Sequence, residues 1–228
     1  MGYEQLDRPA WSALTTHWAP IAEGDARAWR GDRDYGVFGA AADRSSESLA
    51  ALAALVPEQG ELWMVEREDW RAPSGTRFVR QAECVQMICE ELIPGRAPGF
   101  EIVDLGEEDA PAMYDLAMLT QPGPYAAHTN RLGDFIGVKQ DGALIAMAGE
   151  RMKMPGLSEV SGVCTHPDHR GRGYAGALMR VVAERMLARG ETPWLHAYAS
   201  NVGAIALYES LGFRLHGIVT ASVLVRET

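Results

Sequence analysis

Arg170, Gly171, Arg172 and Gly173 stand in a row within HPDHRGRGYA, residues His166–Ala175. Two guanidinium groups beside two residues that lack a Cβ suit an anion. The glycines let a ligand approach the backbone, and the arginines add full charge. An apolar stretch, EVSGVCT (Glu159–Thr165), precedes this segment, and an amphipathic run follows it. A strand that ends in a loop and opens a helix leaves the first helical N–H groups without partners, at the positive end of the helix dipole. A pyrophosphate is the natural guest of such a junction. The plainer reading is a glycine-rich turn with solvated arginines. The run is not GxxxxGK[ST], which excludes a Walker loop, and the antiparallel pattern around it excludes a Rossmann fingerprint.

Other residues able to do chemistry are scattered. In NVGAIALYESLGF (Asn201–Phe213), Asn201, Ala204 and Tyr208 are three and four apart and share a helix face. Tyr208 either meets a ligand there or packs beneath Phe213. His166 and His169 flank the arginine–glycine loop, and no third or fourth ligand stands nearby, so no metal site is expected. His196 alternates with Trp194 and Tyr198 in a strand-like run, facing either a substrate or the core. Cys84, Cys89 and Cys164 are odd in number and form no CxxC pair. Reduced, buried thiols in a cytoplasmic protein are expected, with neither a disulfide framework nor zinc.

These residues need a scaffold, and 228 residues with 47% apolar content can build one. No apolar run approaches the ~18 residues of a membrane span, and MGYEQLDRPAW has no leader pattern. A net charge of −10 argues against a nucleic-acid partner. The first part of the chain reads as a small α/β unit. It has a short helix over 11–18, a strand over 35–38, a helix from Ser45 through SSESLAALAALV, and strands over 62–65 and 83–88. IPGRAPG (Ile93–Gly99) is rich in breakers and places a boundary there, giving units 1–95 and 96–228. The second unit alternates strand 101–105, helix 107–119, strand 134–139, a QDG hairpin turn, and strands 144–153 and 159–165. An amphipathic helix ending near Gly190, strand 194–200, helix 201–212 and strands over 214–225 complete it. The sum is an α/β (α+β) fold, a mostly antiparallel mixed sheet with helices on both faces.

VCTHPDHRGRGYAGALM resembles motif A of the GNAT superfamily of acetyl-CoA-dependent N-acetyltransferases, Arg/Gln-x-x-Gly-x-Gly/Ala, through Arg170, Gly173 and Ala175. NVGAIALYESLGF resembles the superfamily's motif B, with Asn201, Tyr208 and Gly212–Phe213 in register. The resemblance covers about residues 100–225. It is nearest to the branch of glycine N-acyltransferase-like proteins, some of which carry a degenerate N-terminal half. Residues 1–95 match no GNAT motif.

The resemblance implies an acyltransferase for groups other than aminoacyl, using acetyl-CoA as co-substrate and no metal. Arg170, Gly171, Arg172, Gly173, Tyr174, Ala175 and Gly176 would wrap the pyrophosphate. Val163, Cys164 and Thr165 would pair with the pantetheine arm, with Asn201, Ala204 and Tyr208 reaching it from the neighbouring helix. Tyr208 would be the general acid. Glu159, eleven residues before Arg170, matches the spacing of the strand glutamate that serves as base in the histone-acetyltransferase branch. A solvated strand-edge role stands beside that one. His128, Thr129 and Arg131, in the irregular stretch Pro124–Gly133, and His196 are the expected acceptor contacts. The acceptor is a small-molecule or peptide amine, and a homodimer is left open. A coenzyme A-binding regulatory module without catalysis is the competing function.

Overall fold

The structure is a computed structural model and describes residues 2–227. Three short strands, β1 (Ala22–Asp25), β2 (Ala28–Gly31) and β3 (Gly39–Ala41), form a small antiparallel sheet. Eight more form the main sheet. They are β4 (Leu62–Glu66), β5 (Thr76–Ile88), β6 (Val103–Leu105), β7 (Phe135–Gln140), β8 (Ala143–Met154), β9 (Leu157–Thr165), β10 (Thr192–Tyr198) and β11 (Arg214–Arg226). Their order is β4–β11–β5–β10–β9–β8–β7–β6, antiparallel throughout except between β9 and β10. The helices are α1 (Pro9–Leu14), α2 (Ser46–Leu55), α3 (Ala110–Thr120), α4 (Tyr174–Ala188) and α5 (Val202–Leu211).

Local chemistry explains several of these bounds. Ser45 caps α2 by accepting the Ser48 N–H at 3.2 Å. Pro9 occupies the first turn of α1 and fixes its start two residues before the expected position. On α4, Leu178, Val182 and Met186 are buried as their spacing requires, joined by Met179 and Ala183. They pack with Ile136, Val160, Leu195 and Phe213 on one face of the main sheet. Adjacent strand residues point to opposite faces. Trp194, next to Leu195, therefore enters the other core, with Leu14, Trp18, Phe38, Trp63 and Met152. Trp194 is fully buried, and truncating such a ring to alanine costs about 3–5 kcal/mol.

The breaker-rich stretch at Ile93–Gly99 is an irregular connection, yet it does not divide two sheets. β5 lies between β11 and β10, hydrogen-bonded to both, and β4 pairs with β11. Residues before 95 thus contribute two strands to the sheet that carries the motifs. Proline and glycine mark where a chain turns, while sheet membership is decided by tertiary pairing. The strand expected over 35–38 forms instead at β3, and Phe38 makes a single bridge to Trp63.

Two irregularities shape the middle of the sheet. β9 and β10 pair only through Leu157–Glu159 and Thr192–Trp194, and beyond that the strands part. Across β8 and β9, Met147 pairs with Cys164 but Gly149 with Ser161, so β9 carries one extra residue. Gly162 accommodates this bulge at φ +62°, beneath the Phe135 ring, which a Cβ at this position would meet at 2.8 Å. Simple alternation would put Glu159, Ser161, Val163 and Thr165 on one face. The bulge changes that phase after Ser161, and Val163 packs with the α4 core instead.

Candidate active site

Gly173 is the N-cap of α4 and takes a left-handed conformation, φ +81°, as does Gly171 at +76°. A Cβ at either position would meet open space, so it is the backbone angle that requires glycine. The first helical bond of α4 runs from the Ala177 N–H to the Gly173 carbonyl. The N–H groups of Tyr174, Ala175 and Gly176 therefore have no partner within the helix. A groove lined by Val163–Thr165, His169–Gly176 and Leu207 covers them. Arg170 and Arg172 are exposed and make only 3.4 Å contacts to the Thr165 and Asp168 carbonyls. Their charge is available to a ligand. His166 caps the preceding turn, its Nδ1 accepting the Asp168 N–H at 3.3 Å, and His169 lines the groove with a buried, unpartnered Nδ1. Unsatisfied donors, free guanidinium groups and an open backbone fit a pyrophosphate.

A second cavity shares Pro122 and Val163 with this groove and enters the gap between β9 and β10. Residues 160–163 and 195–198 form its strand walls, and Asn201 and Tyr208 reach it from the α5 side. Asn201 Oδ1 accepts the Ala204 N–H at 3.3 Å, which leaves its amide NH2 for a ligand. Ala204 lines neither cavity, a correction to its expected coenzyme contact, because its place on α5 is spent receiving that cap. Tyr208 is half-buried, and burial pushes its phenol above the usual value. It stays protonated at neutral pH, with its O–H free to donate a hydrogen bond. Cys84 in this cavity and Cys164 in the groove are buried, which raises each thiol to about 11.

Glu159 is 1% exposed and fully engaged. Arg151 Nε and Nη2 donate to its two oxygens at 2.9 Å each, and the Met152 N–H donates at 3.1 Å. Burial alone would raise its pKa, but the Arg151 guanidinium outweighs that and holds it well below the usual carboxylate range. A carboxylate held this firmly as the anion is a poor proton acceptor at neutral pH. That corrects the expectation that Glu159 is the base. His196 Nδ1 lies 3.0 Å from Glu159 Oε1, within hydrogen-bond distance though out of full alignment, and the imidazole lines the cavity.

His128, Thr129 and Arg131, expected at the acceptor site, line neither cavity. Thr129 Oγ1 donates to the Tyr35 carbonyl at 3.0 Å, the His128 ring meets Tyr35 edge-on, and Arg131 pairs with Glu107 at 2.8 Å. His128 and Thr129 thus hold the chain at Asp34–Tyr35, and Arg131 ties the same loop to Glu107. The cavity's far end is built instead from Phe38, Trp63 and Val65, which no sequence pattern singled out. Arg151 carried no cue either, because it stands beside Glu150 and near Lys153 on β8 and reads as one more charge of that group.

A sheet with one parted parallel pair, an anion groove at the head of the next helix and a half-buried tyrosine at the opening are the features of a coenzyme-dependent acyltransferase class. Residues 135–223 match the FR47-like protein family. The chain is 30% identical over 118 residues to the ribosomal protein bS18-alanine N-acetyltransferase of Escherichia coli K12, covering 49% of this chain and 79% of that protein. It is 48% identical to a GNAT-family protein of known structure from Novosphingobium aromaticivorans DSM 12444, with a TM-score of 0.91 over 98% of this chain and 99% of that one. A GCN5-related N-acetyltransferase from Kribbella flavida shares the fold at 18% identity and a TM-score of 0.66, over 96% of this chain and 94% of that one. The chain belongs to the GNAT superfamily of N-acetyltransferases, whose co-substrate is acetyl-CoA. No helix among the described residues is long and apolar enough to cross a membrane.

Proposed function

We propose that this protein moves an acetyl group from acetyl-CoA to a primary amine by direct attack. The observation that carries this reading is the parting of β9 and β10 beside the anion groove, with Tyr208 and His196 both lining the gap. Residues 170–176 would hold the pyrophosphate, and the backbone of Val163–Thr165 would pair with the pantetheine arm. When bound, acetyl-CoA supplies the thioester carbonyl to be attacked. The protein's own groups handle the protons. An amine with a lysine-like pKa of ~10.4 is mostly protonated at neutral pH, so a base must free its lone pair. His196 takes that role in place of Glu159. Glu159 is a positioning residue that orients the imidazole through Nδ1, which leaves Nε2 to accept the proton. Arg151 neutralises the carboxylate. Tyr208 donates its O–H toward the departing sulfur, and its raised pKa favours hydrogen bonding over complete proton transfer.

Neither Cys84 nor Cys164 supports an acyl-enzyme, because a thiol raised to about 11 is scarcely ionised at neutral pH. The division of labour we propose places the coenzyme site in residues 96–228 and a wall of the acceptor site in residues 1–95. The test is thiol release from acetyl-CoA with a panel of amines, with the acetylated amine identified by mass spectrometry. Turnover with an amine in the panel supports acetyl transfer. Tight coenzyme binding without turnover on any amine would favour the non-catalytic module.

A further inference from the structure

Beyond the parted strands, the cavity changes character. Val65 on β4, Ala221 on β11 and Cys84 on β5 line it with small apolar groups. Sheet register places them in adjacent positions, with Val65 opposite Ala221, Ala221 opposite Ala82, and Cys84 opposite Tyr198 of β10. Phe38 and Trp63 add an aromatic wall, their rings meeting edge to face at 6.4 Å. Trp63 is 8% exposed and is held by its indole N–H, which donates to Glu61 at 2.6 Å, while Arg80 lies over the ring at 4.6 Å. The Arg151 guanidinium lies 5.0 Å from the Phe38 ring centre, and from there Glu159 and His196 lead back to the opening.

The charges at this end are already committed. Among the described residues lining the cavity, Glu159 is the one carboxylate and Arg151 the one guanidinium. They satisfy each other, and the remaining Arg151 nitrogen donates to the Pro124 carbonyl at 3.3 Å. A second cationic group on the acceptor would find no free anion there, and an acceptor carboxylate would find no free cation. Either would lie against Phe38, Trp63, Val65 and Ala221 without a partner, which is costly.

We propose that this end is the acceptor subsite and takes a monoamine whose remainder is compact and apolar, an arylalkyl or branched alkyl amine. The inference rests on the acetyltransferase reading and deepens it. The amine lies toward His196 Nε2 and the apolar group lies against Phe38, Trp63 and Val65. The step balances. One proton of the ammonium passes to His196 and on to solvent, and the freed lone pair forms the C–N bond. The C–S electron pair leaves on sulfur, and the second proton shed by nitrogen ends as the thiol proton. The apolar walls assist, because removing an ammonium from water lowers its pKa. The charged and titratable groups that line the cavity with His196 are Glu159 from β9, Arg151 from β8, Cys84 from β5, Tyr198 from β10 and Tyr208 from α5.

The test compares 2-phenylethylamine, isoamylamine, spermidine and an alanine-initiated peptide as acceptors for the full-length protein. Saturation-transfer NMR with 2-phenylethylamine reads binding without turnover. The two apolar monoamines are expected to exceed spermidine and the peptide in kcat/KM by roughly tenfold or more, the scale of apolar pocket discrimination. Trp63→Ala should raise the KM for 2-phenylethylamine and weaken its NMR signal, leaving the Kd for coenzyme A unchanged. Trp63→Phe should restore most of the loss. Val65→Phe, which fills the pocket floor, should block the arylalkyl amine in a protein that still binds coenzyme A, and this variant serves if Trp63→Ala fails to fold. Preference for spermidine or the peptide would overturn the acceptor class and leave acetyl transfer standing. Binding of 2-phenylethylamine with no thiol release from any acceptor would overturn acetyl transfer and leave the subsite standing.

Discussion

At the coenzyme groove, Arg170 and Arg172 project into solvent with only 3.4 Å backbone contacts. Across the cavity, Arg151 is 7% exposed, clamps both oxygens of Glu159 and touches the Pro124 carbonyl. The same guanidinium therefore serves two purposes. Where it is free and backed by unpaired N–H groups, it offers an anion site. Where it is saturated, it ties two strands and a loop together. Burial and partners separate a binding arginine from an architectural one, and residue type does not.

Substitutions can break this contrast. The largest effect on turnover is expected from His196→Gln, which removes the base while keeping a polar side chain. A fall in kcat/KM of roughly 10²–10⁴-fold at neutral pH is the scale of general-base catalysis. Initial rates at neutral pH check it, and an unchanged kcat/KM removes His196 from the mechanism. The next effect falls on stability. Arg151→Met strands a buried carboxylate and should cost about 3–5 kcal/mol by urea unfolding, while Arg151→Met/Glu159→Leu should recover much of that.

Tyr208→Phe should lower kcat by roughly 10²-fold with little change in the Kd for coenzyme A, comparable to loss of one donor at a developing negative charge. Equal kcat in both proteins would leave Tyr208 a packing residue. Arg170→Ala should weaken coenzyme A by about 1.5–3 kcal/mol, read by titration calorimetry, with the melting temperature of the free protein unmoved. Arg170 and Arg151 would then fail in opposite ways, one in binding and one in folding.

Acid offers a milder probe. Glu159 is held below the usual carboxylate range, so its folded pKa lies below its unfolded one. Its contribution to stability is complete above the unfolded carboxylate value of ~4.3 and is lost as pH falls below that toward the folded pKa. The difference in urea midpoint between the native protein and Glu159→Gln should therefore be larger at pH 7 than at pH 3.

The groove proposed for the coenzyme was legible in the sequence for a physical reason. A pyrophosphate is bound by consecutive backbone N–H groups, so the glycines and arginines that shape the loop must be consecutive too. Capping is equally local, and Ser45, Asn201 and Gly212 stand at the helix ends where their types predict them. Of the residues expected to meet the acceptor, His196 alone lines the cavity proposed for it, and the other walls were not legible because they meet only after the sheet forms. Phe38, Trp63, Cys84, Arg151, His196 and Ala221 come from separate stretches of chain and are joined by pairing and register. Glu159 misled for a related reason. Its partner sits on the neighbouring strand, across a register irregularity between Glu150 and Lys153 that alternation does not reveal. His128, Thr129 and Arg131 had the right chemistry in a loop that turns out to brace the N-terminal segment.

The most direct test is a crystal structure of the protein with coenzyme A and 2-phenylethylamine. The account predicts the pyrophosphate on the N–H groups of residues 171–176. It predicts the sulfur in the gap between β9 and β10 within hydrogen-bond reach of Tyr208 Oη, and the amine nitrogen beside His196 with its ring against Trp63. A sulfur lying outside that gap, or a pyrophosphate held away from the arginine–glycine loop, would contradict it.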